Sequence, residues 1–140
     1  MRFKTIVVGE AERIFAAIAD FGQLSRWDPF VDRSELAGGV AMEPGARYQL
    51  RSVAGLTLEY ELIDVTAPHR VIYRGGTKRV TSLDTITVST LGSAVEIWIE
   101  SDIDFDGWTR LIAPFALAGL WLGGHLRTLP ALRRFVRMIV

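Results

Sequence analysis

The stretch LIAPFALAGLWLGGHL, Leu111–Leu126, carries no formal charge apart from a titratable His125, and Arg110 and Arg127 bracket it. Whether it crosses a membrane, fills a core or walls an apolar pocket decides the fold. As helix it reaches roughly 24 Å, short of the roughly 30 Å hydrocarbon core of a bilayer. Pro114, Gly119, Gly123, Gly124 and an imidazole also suit a lone lipid-facing helix poorly. A membrane span is therefore not expected. Leu111, Phe115, Ala118, Leu122, Leu126 (or His125), Leu129, Leu132, Val136 and Ile139 recur every three or four residues, which is one helical stripe. Ala118 is its small member and leaves room between Phe115 and Leu122 for a sheet side chain or a ligand. Ile112, Ala116, Leu117 and Leu120 make the other faces of the first half apolar too, whereas Arg127, Thr128, Arg134 and Arg137 make those of the second half polar. The first half is expected to be buried nearly all round and the second on one side only. Pro114 fits a first helical turn, and Pro130 is expected to kink or restart the helix.

Upstream, FKTIVV at residues 3–8 reads as a strand, and AERIFAAIADF follows with Ile14, Phe15, Ile18 and Phe21 at helical spacing. A turn and a short second helix are expected between Asp20 and Trp27, ended by Asp28-Pro29. From Phe30 to Phe105 the pattern alternates as antiparallel strands with one buried face do. Tyr48, Leu50 and Ser52 share a face, as do Leu56, Leu58, Tyr60 and Leu62, and the switch at Ile63 and Val65 predicts a bulge. Val80, Ser82, Asp84, Ile86 and Val88 line one face of the next long strand. After it, Val95, Ile97, Ile99, Ile103 and Phe105 point inward, with Glu96, Trp98, Glu100, Asp102 and Asp104 outward. The order is one strand, two short helices, about six strands and a long final helix, an α+β arrangement. The sheet needs an apolar cover, and the last helix is the long apolar one.

The length of 140 residues suits a single domain, residues 1–140. Sixteen Lys plus Arg balance sixteen Asp plus Glu, which disfavours nucleic acid as a partner. With no Cys, a disulfide scaffold, a thiolate nucleophile and a Cys-ligated metal are excluded, and the chain suits a reducing compartment such as the cytoplasm. MRFKTIVVGEAERIF does not read as a signal peptide. No acidic residue follows Asp106, so the last quarter is basic. The terminal arginines are read as partners of a helix C-terminus ahead of lipid headgroups.

AERIFAAIADFGQLSRWDP, TAPHRVIYRG, LDTITVST with AVEIWIE, and DFDGWTRLIAP, taken in that order, resemble the helix-grip (SRPBCC) superfamily. It includes START lipid-transfer domains, birch-pollen-allergen-like proteins and bacterial polyketide cyclase/dehydrases, and the bacterial branch is the nearest in these details. The resemblance covers nearly the whole chain. It implies a seven-stranded antiparallel sheet curled around the C-terminal helix, with an elongated cavity between them for a lipid, sterol or polyketide-like molecule. Fold alone does not choose between carrier and enzyme.

Trp27, Tyr48, Tyr60, Tyr73, Asp84, Phe115, Ala118, Leu122 and His125 are the candidate ligand-binding residues. The apolar members would bind by burial, while Asp84, His125 and a tyrosine hydroxyl would orient a polar end. Asp84 is read either as a half-buried carboxylate or as a solvated residue at the open strand end, and the tyrosines either as ligand contacts or as core. The first functional reading is a carrier or sensor of a hydrophobic small molecule. The alternative is an aromatic polyketide cyclase or dehydratase with His125 or Asp84 as general base and Tyr60 or Tyr73 as donor to an enolate oxygen. A third, weaker reading is docking to a membrane surface. His69 and His125 have no ligand-spaced partner, so no metal is expected, and no glycine pair matches a nucleotide fingerprint, so no cofactor is expected. Trp98, facing outward, is either an interface, such as that of a homodimer, or a platform for a long side chain.

Overall fold

A computed structural model describes residues 1–139. Strand β1 (Arg2–Val8) leads into helix α1 (Ala11–Ile18) and a 3-10 turn, Phe21–Arg26. Six strands follow: β2 (Val31–Gly38), β3 (Arg47–Ser52), β4 (Thr57–Thr66), β5 (Arg70–Gly76), β6 (Val80–Leu91) and β7 (Ala94–Phe105). A second 3-10 turn, Gly107–Leu111, opens the C-terminal helical segment. This comprises α2 (Ala113–Gly123), a π-helical turn (Gly124–Thr128) and α3 (Leu129–Ile139).

All pairings are antiparallel, in the order β1-β7-β6-β5-β4-β3-β2. Consecutive strands from β2 to β7 pair with each other, and β1 closes onto β7. The predicted bulge in β4 is present as a register shift between Leu62 and Asp64. It lets Leu62 stay on the buried face while the outer half of β4 changes phase.

The two edges of the sheet meet at the helix. The Phe3 ring, on β1, lies against Gly124, and the Phe30 ring, just before β2, lies against Gly123, where an added Cβ would come within 2.9 Å of Phe30 Cζ. Opposite edges can touch adjacent residues of one helix only if the sheet curls around it, a consequence of accumulated strand twist.

The core occupies one end of this half-barrel. Ile14, Phe15 and Ile18 from α1, and Leu132, Phe135 and Val136 from α3, are buried against Val71, Tyr73, Ile86, Val88, Val95 and Ile97. The stripe predicted for the C-terminal helix therefore holds in its second half. It fails in the first: α2 has no buried residue. Leu111 and Phe115 are 81% and 80% exposed, and Ile112, Leu120, Leu122 and Leu126 are exposed as well. Ala116 and Leu117 are half-buried. The expectation of an all-round buried first half is corrected, for a local reason. At the glycine pair the segment is held on the sheet by Phe3 and Phe30. At its start the 3-10 turn is tied to β7 by buried Thr109 and by the Arg110 Nε–H donating to the Phe105 carbonyl at 3.1 Å. Between these two points α2 buries no residue fully. Pro130 does not break the helix. It sits at the second position of α3, and the wider π turn just before it accommodates the lost N–H and the ring.

Candidate functional site

Away from the α1–α3 core, burial falls along the inner faces of β4 and β6 and along β7 as far as Ile103, after which Phe105 is buried again. On β6 it runs from buried Val88 and Ile86 to half-buried Asp84, Ser82 and Val80. On β7 it runs from buried Val95 and Ile97 to half-buried Ile99, Ser101 and Ile103, and on β4 from buried Leu62 to half-buried Tyr60 and Leu58. The result is an open floor of mixed character beside α2. Its apolar rim is Leu58, Ile99, Ile103 and Val80, and its polar centre is a cluster around Asp84.

Sheet register builds that cluster. Asp84 pairs with Tyr73 on one side and Ser101 on the other, and Gly75 pairs with Tyr60 and Ser82. The Ser82 hydroxyl donates to Asp84 Oδ1 at 2.6 Å. The hydroxyls of Ser101 and Tyr60 also turn toward this carboxylate and favour its charged form, but burial outweighs them and raises its pKa above the ordinary carboxylate value. Asp28 reaches the same place from the 3-10 turn. The Phe30 N–H donates to its Oδ1 at 3.0 Å. Burial raises its pKa also, and the neighbouring Asp84 charge adds to the rise. Burial and the Asp84 carboxylate hold the Tyr60 hydroxyl firmly protonated, so it is a standing donor.

Gly75 makes room for this. A Cβ there would lie 2.7 Å from both Cα and Cγ of Tyr60, so only glycine lets the ring lie across β5 toward Asp84.

The remaining aromatic candidates form a packed block. Phe21 stacks on Tyr73 at 3.7 Å, and Tyr48 meets Tyr73 edge-on at 5.6 Å. The Tyr73 hydroxyl donates to the Ala19 carbonyl at 2.8 Å and accepts from the Phe21 N–H at 3.2 Å. Tyr48 accepts from the Met42 N–H at 3.2 Å. Both hydroxyls are thus engaged with backbone, and Tyr60, edge-on to Phe21 at 5.4 Å, is the one turned to the carboxylates. Trp27 is 5% exposed, and its Nε1–H has no partner among the described residues.

The candidates on the final helix lie apart from this cluster. Phe115, Ala118, Leu122 and His125 are all exposed. His125 Nδ1 is 3.1 Å from the Trp121 carbonyl, and its ring packs between Trp121 and Phe3. Trp98 serves as a platform: the Arg2 guanidinium lies 3.8 Å above its ring while pairing with Glu100 at 3.2 Å. Among the described residues no group of three potential ligands could hold a metal ion. A second cleft of about 360 Å³ lies across β2, β3 and β4, lined by Ala37, Arg47, Gln49, Glu59 and Glu61 together with Tyr48 and Tyr60.

Sequence reasoning missed Asp28, Ser82 and Ser101 as members of the cluster. Alternation on β6 and β7 signals the two serines. Asp28 is set by the tertiary placement of the 3-10 turn, which has no periodic signature.

The fold and this cluster can be set beside known proteins. The family described as polyketide cyclase / dehydrase and lipid transport matches residues 3–137. The chain belongs to this family. Its fold recurs in protein jhp0584 of Helicobacter pylori (TM-score 0.77, 14% identity, 96% of this chain and 85% of that one). It recurs also in XoxI of Bacillus cereus (TM-score 0.72, 21% identity, 96% and 92%). A START superfamily protein of Mycobacterium smegmatis is similar over 100% of this chain and 98% of its own (TM-score 0.70, 12% identity). At these identities the likeness establishes the fold. Curated proteins give no match.

Proposed function

We propose that this chain binds a hydrophobic small molecule of lipid, sterol or polyketide type on the open floor between the sheet and the C-terminal helix. The observation that carries the reading is the pairing of that half-buried floor with an apolar helix, α2, that buries none of its own residues. An apolar ligand laid between them removes both surfaces from water, at about 25 cal/mol per Å². The Asp84 cluster supplies the polar end: Tyr60 donates to a carbonyl or hydroxyl, and Asp84 and Asp28, whose pKa values burial raises, stand beside it as hydrogen-bonding carboxyls. The family's description, which pairs polyketide cyclases with lipid transport, agrees with this ligand class. Titrating delipidated protein with fluorescent fatty-acid, sterol and aromatic polyketide probes tests it. Saturable binding that weakens in Tyr60→Phe is expected; no saturable binding to any of the three overturns the proposal.

One observation favours a catalytic variant of the same site. A carboxylate with a raised pKa beside a fixed phenol is the pairing that aldol-type ring closure needs. Asp84 takes a proton from an activated C–H, and Tyr60 donates to the enolate oxygen as it forms. His125, exposed and bonded to its own helix, has no part in this version. Loss of turnover on a polyketide analogue in Asp84→Asn, with probe binding retained, would establish it.

A further inference from the structure

We infer that α2 and the basic residues after it dock this protein onto an anionic lipid surface, with α2 lying in the plane of the interface. The docking rests on the helix itself and stands whether or not the floor binds a ligand.

The apolar surface is large and continuous along one segment. Trp108, Leu111, Ile112, Phe115, Leu120 and Trp121 are all exposed, and Leu122 and Leu126 extend the patch. A water-facing helix ordinarily turns a polar face outward, but residues 111–124 contain no charged side chain to do so. Two exposed tryptophans are at home at the depth of lipid headgroups.

Charge identifies the occupant. No acidic residue follows Asp106, and Arg127, Arg134 and Arg137 are exposed and form no ion pair among the described residues. Beside them a cleft of about 220 Å³ is lined by exposed Ile6 and Val8 together with Arg133 and Arg137. A second copy of this chain would bring the same arginines toward one another, which opposes self-association through this face. A surface of anionic headgroups over hydrocarbon complements both the apolar helix and the unpaired cations. Crossing is not implied: no described helix is long and apolar enough to cross a membrane.

The test is co-sedimentation of the full chain with phosphatidylcholine vesicles, with and without about 30 mol % phosphatidylglycerol, at low and high salt. Binding to the anionic vesicles that falls at least about tenfold at high salt is expected. Phe115→Asp and the pair Arg134→Glu/Arg137→Glu should each weaken it about thirtyfold or more, with unchanged melting temperatures because these side chains are exposed. No depletion by anionic vesicles overturns the proposal, as does equal binding with and without phosphatidylglycerol that ignores the arginine changes. Self-association in the absence of lipid that Phe115→Asp abolishes would assign the helix to a dimer and also overturn it. Probe binding to the floor that survives Arg134→Glu/Arg137→Glu, two exposed residues of α3 outside the proposed ligand site, leaves the ligand reading intact in every case.

Discussion

Phe3 and Phe30, from opposite edges of the sheet, rest on the adjacent glycines Gly124 and Gly123 of a single helix. The contact holds the sheet's curl in place and divides the C-terminal helical segment in two. Beyond it α3 is part of the core, and before it α2 buries none of its residues fully.

Substitution at this notch should destabilise, and substitution of the open glycine elsewhere on α2 should not. A side chain at Gly124 would collide with the buried Phe3 ring. Gly124→Val is expected to destabilise by about 1–3 kcal/mol. Gly119 meets nothing within 4 Å, so Gly119→Ala should stabilise by up to about 1 kcal/mol through helix propensity. Urea unfolding of the two variants checks both signs.

Gly75 is a second position where only hydrogen fits. Its neighbours there are the backbone of Glu59 and the Cα and ring of Tyr60, so a methyl cannot be relieved by a rotamer change alone. Gly75→Ala should cost about 1–3 kcal/mol and displace the Tyr60 ring from Asp84. Weakened binding of the floor probes, in a variant still folded by circular dichroism, is the expected outcome.

Much of this architecture is legible in the sequence. Period-two alternation places Ser82 and Asp84 on the inner face with Ile86 and Val88, and the phase switch at Ile63 marks the bulge found in β4. Trp98 faces outward, as the alternation of β7 requires, but it is half-buried because the Arg2 side chain lies over its ring. What composition cannot convey is where an apolar helix finds its partner. Leu111–Leu126 has the content of a core helix, yet its burial depends on how far the sheet curls, and that is decided by contacts such as Phe3–Gly124. Asp28 was illegible for a similar reason, since its approach to Asp84 is set by tertiary folding of a turn.

The carboxylates predict a pH dependence. Asp84 binds its proton more tightly in the folded chain than in the unfolded one, chiefly through burial. Below the unfolded value near 3.9 both states are protonated and the group has no differential effect. As pH rises from there through the raised folded value, stability is lost, because the unfolded chain ionises first. Asp84→Asn should therefore be more stable than the parent at neutral pH, with the difference shrinking toward pH 4 as the parent's carboxyl regains its proton. Unfolding midpoints across that range decide it; an advantage of the parent that grows with pH would contradict the burial argument.

Tyr73 and Tyr60 separate packing from binding. Tyr73 is fully buried, and its hydroxyl serves both the Ala19 carbonyl and the Phe21 N–H. Tyr73→Phe strands two buried backbone groups and should cost about 1–3 kcal/mol, with little change in the affinity of a floor ligand. Tyr60 is half-buried, and its hydroxyl turns to Asp84 instead of backbone. Tyr60→Phe should alter stability by less than about 1 kcal/mol while weakening ligands that carry a polar end. Denaturation and probe titration on the same two variants give a crossed pattern if the Asp84 cluster is the binding centre. If instead Tyr73→Phe impairs binding as much as Tyr60→Phe at equal folded fraction, the aromatic block around Phe21 is the contact surface, and the polar end of the ligand lies there.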